Sequence, residues 1–159
     1  MPAYISQKNI DLVTRHGIFT ENEFRARHAI HLEAYNKIVA IEARTMVDMA
    51  VHQILPAAMS YTHKLCQGLE SKKNLGLSCR TETELCRQLS EGCDALYDNV
   101  EMLKKVLSEV KGNAQQAAAY YHDVVVPAMD SLRAEADKLE VLTDKSYWPY
   151  PTYSDLLYY

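Results

Sequence analysis

Five glycines and five prolines in 159 residues leave few places for the chain to turn. Such a chain is built from a small number of long segments. No apolar run approaches the roughly 18 residues of a transmembrane helix, so no membrane span is expected. Basic residues do not exceed acidic ones. Seventeen Lys and Arg face 21 Asp and Glu, a net charge of −4, and a nucleic-acid backbone would find no basic surface to hold it. The scattered glycines form no phosphate loop, dinucleotide fingerprint or nucleophile elbow. A helical di-metal centre would use Glu-x-x-His pairs, and none occurs. The opening MPAYISQKN lacks a basic stretch followed by an apolar one, so no secretory signal is expected. A cytoplasmic setting with reduced thiols follows for the four cysteines. What is present is apolar: 48% of residues are hydrophobic and 24% charged. That suffices for one real core and excludes a disordered chain.

The chain is organised around residues 38–61, IVAIEARTMVDMAVHQILPAAMSY. Ile38, Val39, Ala40, Ile41, Ala43, Met46, Val47, Met49, Ala50 and Val51 cover most of a helical circumference. A helix apolar nearly all round is expected to be covered on several faces. Upstream, residues 6–16 read as a short helix capped by Ser6 and stopped by Gly17. Thr20 and Glu23 form a capping box that opens a long helix over 21–67. Pro56 should kink it. Residues 68–80, with two Gly, Asn and two Ser, read as a loop.

Thr81 and Glu84 read as a second capping box, opening a helix over 82–111. Cys86, Cys93, Val100 and Leu107 recur every seven residues. Leu89, Leu96, Leu103 and Val110 recur three positions later, completing a heptad stripe. Gly112-Asn113 separates this helix from another over 114–143. The spacing continues there at Ala114, Ala118, Tyr121, Val125, Ala128, Leu132, Glu135, Leu139 and Leu142. Two arms of about 45 Å joined by a two-residue turn predict an antiparallel, coiled-coil-like hairpin. Pro127 should bend the second arm, in a context (VVPAMD) like that of Pro56 (ILPAAM). Cys86 and Cys93, about 10 Å apart along one helix, cannot bridge each other and read as core residues. The expected fold is all-α: a short leading helix, a long kinked central helix, the hairpin, and an aromatic tail over 144–159 laid against the bundle or another chain.

Few residues suggest chemistry. His28 and His31 stand three apart, and Asp48 and His52 four apart, either of which could supply two metal ligands. Glu42, Arg44 and Asp48 interrupt the apolar central helix; Arg44 and Asp48 are spaced to pair, and all three read as contacts between packed helices or to a partner. In the tail, Trp148, Pro149, Pro151, Tyr153, Leu156 and Leu157 read as a docking surface, with Tyr150, Tyr158 and Tyr159 adding aromatic area. No catalytic, cofactor-binding or metal-binding residue is assigned.

Three stretches carry a family resemblance: KNIDLVTRHGIFTENE (Lys8 to Glu23), IEARTMVDMAVHQILPA (Ile41 to Ala57) and the closing AMDSLRAEADKLE with WPYPTYSDLLYY. Together they resemble the C-terminal helical region of the class III glutamine synthetases, the large bacterial form of that enzyme. The ending WP-x-PTY-x-DLL is the most specific part. The resemblance implies a parent enzyme that makes glutamine from glutamate, ammonia and ATP with divalent metal, Mg or Mn. The ligands for metal, nucleotide and glutamate belong to the family's upstream catalytic domain, so none carries over and this part is expected to be inactive and cofactor-free. MPAYISQKNI then reads as the point where a longer chain was cut. The implied partners are the upstream catalytic domain and neighbouring subunits of a dodecamer. The role implied is structural. A freestanding helical adaptor, or a metal-binding bundle using His28, His31 or Asp48 with His52, are the alternatives.

Overall fold

The computed structural model describes residues 2–157, without the side chains of residues 2, 153 and 154. Among the described residues there is no strand. The fold is all-α. A 3-10 turn (Pro2–Ile5) leads into α1 (Gln7–Arg15). Gly17, at φ 64, ends α1: its amide donates to the Thr14 carbonyl and the Ile18 amide to Val13. That left-handed closure needs glycine. The Ser6 side chain makes no cap bond.

Helix α2 (Glu21–Met49) opens on the capping box of Thr20 and Glu23. The Thr20 backbone amide holds the Glu23 carboxylate below its usual range. At Ala50–Ile54 the rod widens into a π turn, in which the Leu55 amide donates to the Ala50 carbonyl, before continuing as α3 (Leu55–Asn74). The second arm does the same. Helix α5 (Ala114–Tyr120) passes through a π turn at Tyr121–Val125 into α6 (Val126–Leu142). Pro56 and Pro127 each stand at the start of the resumed α-helix. A proline ring collides with the carbonyl four residues back. The extra residue of a π turn opens the ladder there, and each disturbance therefore lies one turn before the proline.

Three boundaries differ from expectation. Helix α3 does not stop at 67 but continues through Gly68 to Asn74, so the loop expected over 68–80 shrinks to residues 75–79. A single helical glycine costs only about 1 kcal/mol. The real stop is Gly76, at φ 68, where the Leu77 amide reaches the Lys72 carbonyl. Helix α4 (Arg80–Ser108) starts before Thr81, with Cys79 at its cap and no side-chain cap bond, so the second capping box is not formed. Glu84 turns instead to Arg87 and Gln88, and the Arg87 bond is the main cause holding its carboxyl at about 2. The turn between the arms is residues 109–113 rather than two residues. Asn113 caps α5 through a box with Gln116.

The arms match in length: 29 residues in α4 against seven, five and 17 in α5, the π turn and α6. Helix α4 packs on α6 and on α3, while α2 packs on α5. The result is a three-rod bundle. Leu89, Leu96, Leu103, Val100, Val125, Leu132 and Leu139 are fully buried at its centre. The stripe is buried as expected at Cys86, Leu89, Leu96, Val100 and Leu103, while Cys93, Leu107 and Val110 lie at the edge of the core. Gly92 lets the arms approach: a Cβ there would lie 2.8 Å from Leu139 Cδ2. The rod of α2 and α3, with 29, five and 20 residues, is about 80 Å long and outreaches the hairpin. Its projecting start is covered by the leading segment. Tyr4 stacks on Phe24 at 4.8 Å and on His28 at 5.6 Å, and Ile10 is buried.

Candidate interaction surface

The central rod is not covered on all faces. Val39, Ala40, Ala43 and Ala50 are buried, but Ile38 is 55% and Ile41 62% exposed. Ile30, at 63%, continues the same side about two turns upstream of Ile38. At 100° per residue these three fall with Ala34, Lys37, Thr45 and Asp48 on one outward face. The expectation of a rod buried all round is therefore corrected. The bundle has only two further rods, and they cover only part of its circumference.

Glu42, Arg44 and Asp48 are exposed on α2, not contacts between packed helices. Asp48 pairs with His52, Oδ1 to Nδ1 2.9 Å, and not with Arg44. An acid four residues before a base is the order that the helix dipole favours. His28 and His31 do not converge: His28 is buried against Tyr4, while His31 is exposed. Among the described residues no group of three His, Cys, Asp or Glu is placed to hold a metal ion.

The tail folds back along the rod. Thr143 is buried at the end of α6, and the Tyr147 and Trp148 amides turn back to the Asp144 carbonyl. Tyr147 meets Tyr61 of α3 at 5.4 Å, with the Lys64 ammonium over its ring. Trp148 and Tyr150 pack against the core. Burial raises the Tyr150 hydroxyl above its usual pKa, and the Asp48 charge raises it further. The tail thus reaches the lower end of α2, and the structure brings Asp48 and Tyr150 together. Pro149 and Pro151 are exposed. Thr152 caps α7 (Tyr153–Leu157) through Asp155, which also bonds Lys145. Leu156 and Leu157 are 67% and 75% exposed. The side chain of Tyr153, and Tyr158 and Tyr159 altogether, lie outside the described residues.

Residues 1–73 match the model of the family described as the glutamine synthetase C-terminal domain. The chain belongs with the glutamine synthetases. It is 35% identical over 162 residues to a glutamine synthetase of Butyrivibrio fibrisolvens, covering 99% of this chain and 23% of that protein. It is 31% identical over 150 residues to a glutamine synthetase of Bacteroides fragilis, covering 89% of this chain and 20% of that protein. A type-3 glutamine synthetase of Dictyostelium discoideum is 27% identical over 161 residues, covering 96% of this chain and 22% of that protein. The chain therefore spans about a fifth to a quarter of the length of these synthetases. The part matching the family model contains the leading segment, the rod with its exposed isoleucines, and the first π turn.

The isoleucine face was missed in the sequence because its charged neighbours looked like interruptions of a buried helix. The signal was available. Lys37, Arg44 and Asp48 recur at helical spacing with Ile30 and Ile41, as on a face turned to water or to a partner.

Proposed function

We propose that this chain is a non-catalytic structural arm of a class III glutamine synthetase. Its parent enzyme would make glutamine from glutamate, ammonia and ATP with a divalent metal, in a cytoplasmic homo-oligomer. The reading rests on one observation: a rod stiffened by its own bundle presents Ile30, Ile38 and Ile41 outward. Exposed isoleucines in line on one helix mark a face that a partner covers. Leu156 and Leu157, exposed beyond a docked tail, are further apolar side chains that this chain leaves open. The length of the related synthetases supplies the candidate partners: the catalytic part of the same polypeptide and the neighbouring subunits.

The test uses the full-length enzyme with Ile38→Ser and Ile41→Ser. Dissociation or a lowered melting temperature, with the same changes silent in the 159-residue chain, is the expected result. Unchanged assembly and melting of the full enzyme would overturn the reading. Deleting residues 147–159 from the full enzyme should likewise weaken assembly. ATP-dependent glutamine formation by the 159-residue chain alone would contradict a non-catalytic role.

A further inference from the structure

The continuation of α3 to Asn74 has a chemical result. Helices α3 and α4 pack along each other on either side of the short 75–79 connection. Residues at similar distances from that connection meet across the pair. Lys72 bonds Glu82, and further from the connection, six residues back along α3 and four residues on along α4, Cys66 Sγ lies 3.5 Å from Cys86 Sγ. A disulfide is about 2.05 Å long, so the two sulfurs are about 1.5 Å from bonding distance. They differ in setting. Cys66 is exposed, whereas Cys86 is 9% exposed.

We propose that Cys66 and Cys86 form a redox-active dithiol, oxidised by peroxides to a disulfide that fastens α3 to α4. The exposed thiol meets the oxidant first. The Cys66 sulfur attacks one peroxide oxygen, the O–O bond breaks, and the departing hydroxide takes the Cys66 thiol proton and leaves as water, so that Cys66 becomes a sulfenic acid. The Cys86 sulfur then attacks the Cys66 sulfur. The S–S bond forms, the S–O bond breaks, and the hydroxyl departs as a second water with the Cys86 proton. The two thiols lose two electrons and the peroxide gains them. Burial, followed by the bond to Cys66, pushes the Cys86 thiol up to about 11. It therefore stays protonated near neutral pH, which leaves the exposed Cys66 as the first of the two to react. The inference does not depend on the synthetase reading, because it uses only residues within this chain.

The other cysteines provide an internal comparison. Cys79 donates to the Leu77 carbonyl at 3.2 Å. Cys93 is half-buried two turns along α4. Tryptic cleavage separates the pair cleanly: Cys66 falls in residues 65–72, Cys79 in 74–80 and Cys86 in 81–87.

The experiment treats the 159-residue protein with hydrogen peroxide, blocks free thiols with iodoacetamide and digests it without reduction. The expected product is peptide 65–72 joined to peptide 81–87 with the loss of two hydrogens, separated again by dithiothreitol. Cys86→Ser and Cys86→Ala should each leave a Cys66 sulfenic acid that dimedone traps several-fold more than in the unsubstituted protein. Linkage of Cys66 to Cys79, to Cys93 or to a second chain would overturn the proposal. So would Cys66 sulfinic acid with no 66–86 peptide, or equal dimedone trapping with and without Cys86.

Discussion

The Asn36 side-chain amide donates to the Ala114 carbonyl across 2.9 Å, where the central rod passes the tip of the helical hairpin. Residues 21–35 of the rod lie before that point, about 22 Å of helix beyond the end of the second arm. The bond joins residues 78 apart in sequence and sets the height of one rod against the other.

Breaking it has a direction and a pH dependence. Asn36→Ala should lower stability by about 1 kcal/mol, the net value of one such bond. Asn36→Asp should cost more at neutral pH, because a carboxylate would face the carbonyl oxygen. The folded state then raises that carboxyl's pKa. The extra penalty is present above the raised value and disappears as pH falls through it, when the protonated acid can donate. Urea melts of both variants at neutral pH and near pH 4 check this; equal stability of the two at neutral pH contradicts it.

The prolines and π turns should be coupled. Pro127 follows the first residue of its π turn, Tyr121, by the same interval that separates Pro56 from Ala50. Deleting the exposed His122 removes the extra residue and returns the proline to a regular ladder, at a cost of about 3 kcal/mol. Adding Pro127→Ala to the deletion should recover most of that loss. Denaturant melts of the two variants measure the difference, and a deletion that is harmless on its own would contradict it.

Acid should release the tail. Lys145, followed by the Thr152 amide and hydroxyl, holds the Asp155 carboxyl at about 2, down from 3.8. A depressed carboxylate stabilises the fold above its unfolded value, and the contribution is lost as pH falls through the folded one. Trp148, the single tryptophan, packs against the core. Its fluorescence should therefore change between about pH 4 and pH 2. Asp155→Asn should remove that step; a variant that keeps it would show that another group controls the tail.

Core and outward face should separate cleanly in mutational cost. Leu96, fully buried, should lose about 2–5 kcal/mol on replacement by alanine. Ile41, 62% exposed, should change the stability of this chain by no more than about 0.5 kcal/mol on replacement by serine. Thermal or urea melting of the 159-residue protein distinguishes them.

Much of this protein was legible in its sequence, where the determining interactions are local. Thr20 with Glu23 caps α2 across one turn, and Gly17 ends α1 through its own backbone freedom. The heptad stripe from Cys86 to Leu103 records which side of α4 meets its neighbours. The likeness of the contexts around Pro56 and Pro127 was visible, and so was the family resemblance.

Other features depended on distant parts of the chain. Gly68 and its polar neighbours resemble a loop, yet packing of α3 on α4 holds them helical to Asn74. That extension brings Cys66 to Cys86, a pairing which no spacing announces. Lys37, Arg44 and Asp48 mark the open side of α2, but hydrophobic periodicity does not show whether anything covers the isoleucines beside them. Local caps, turn residues and heptads set where helices form in this sequence. Only the tertiary arrangement, three rods of unequal length, decided which apolar side chains and thiols meet and which remain exposed.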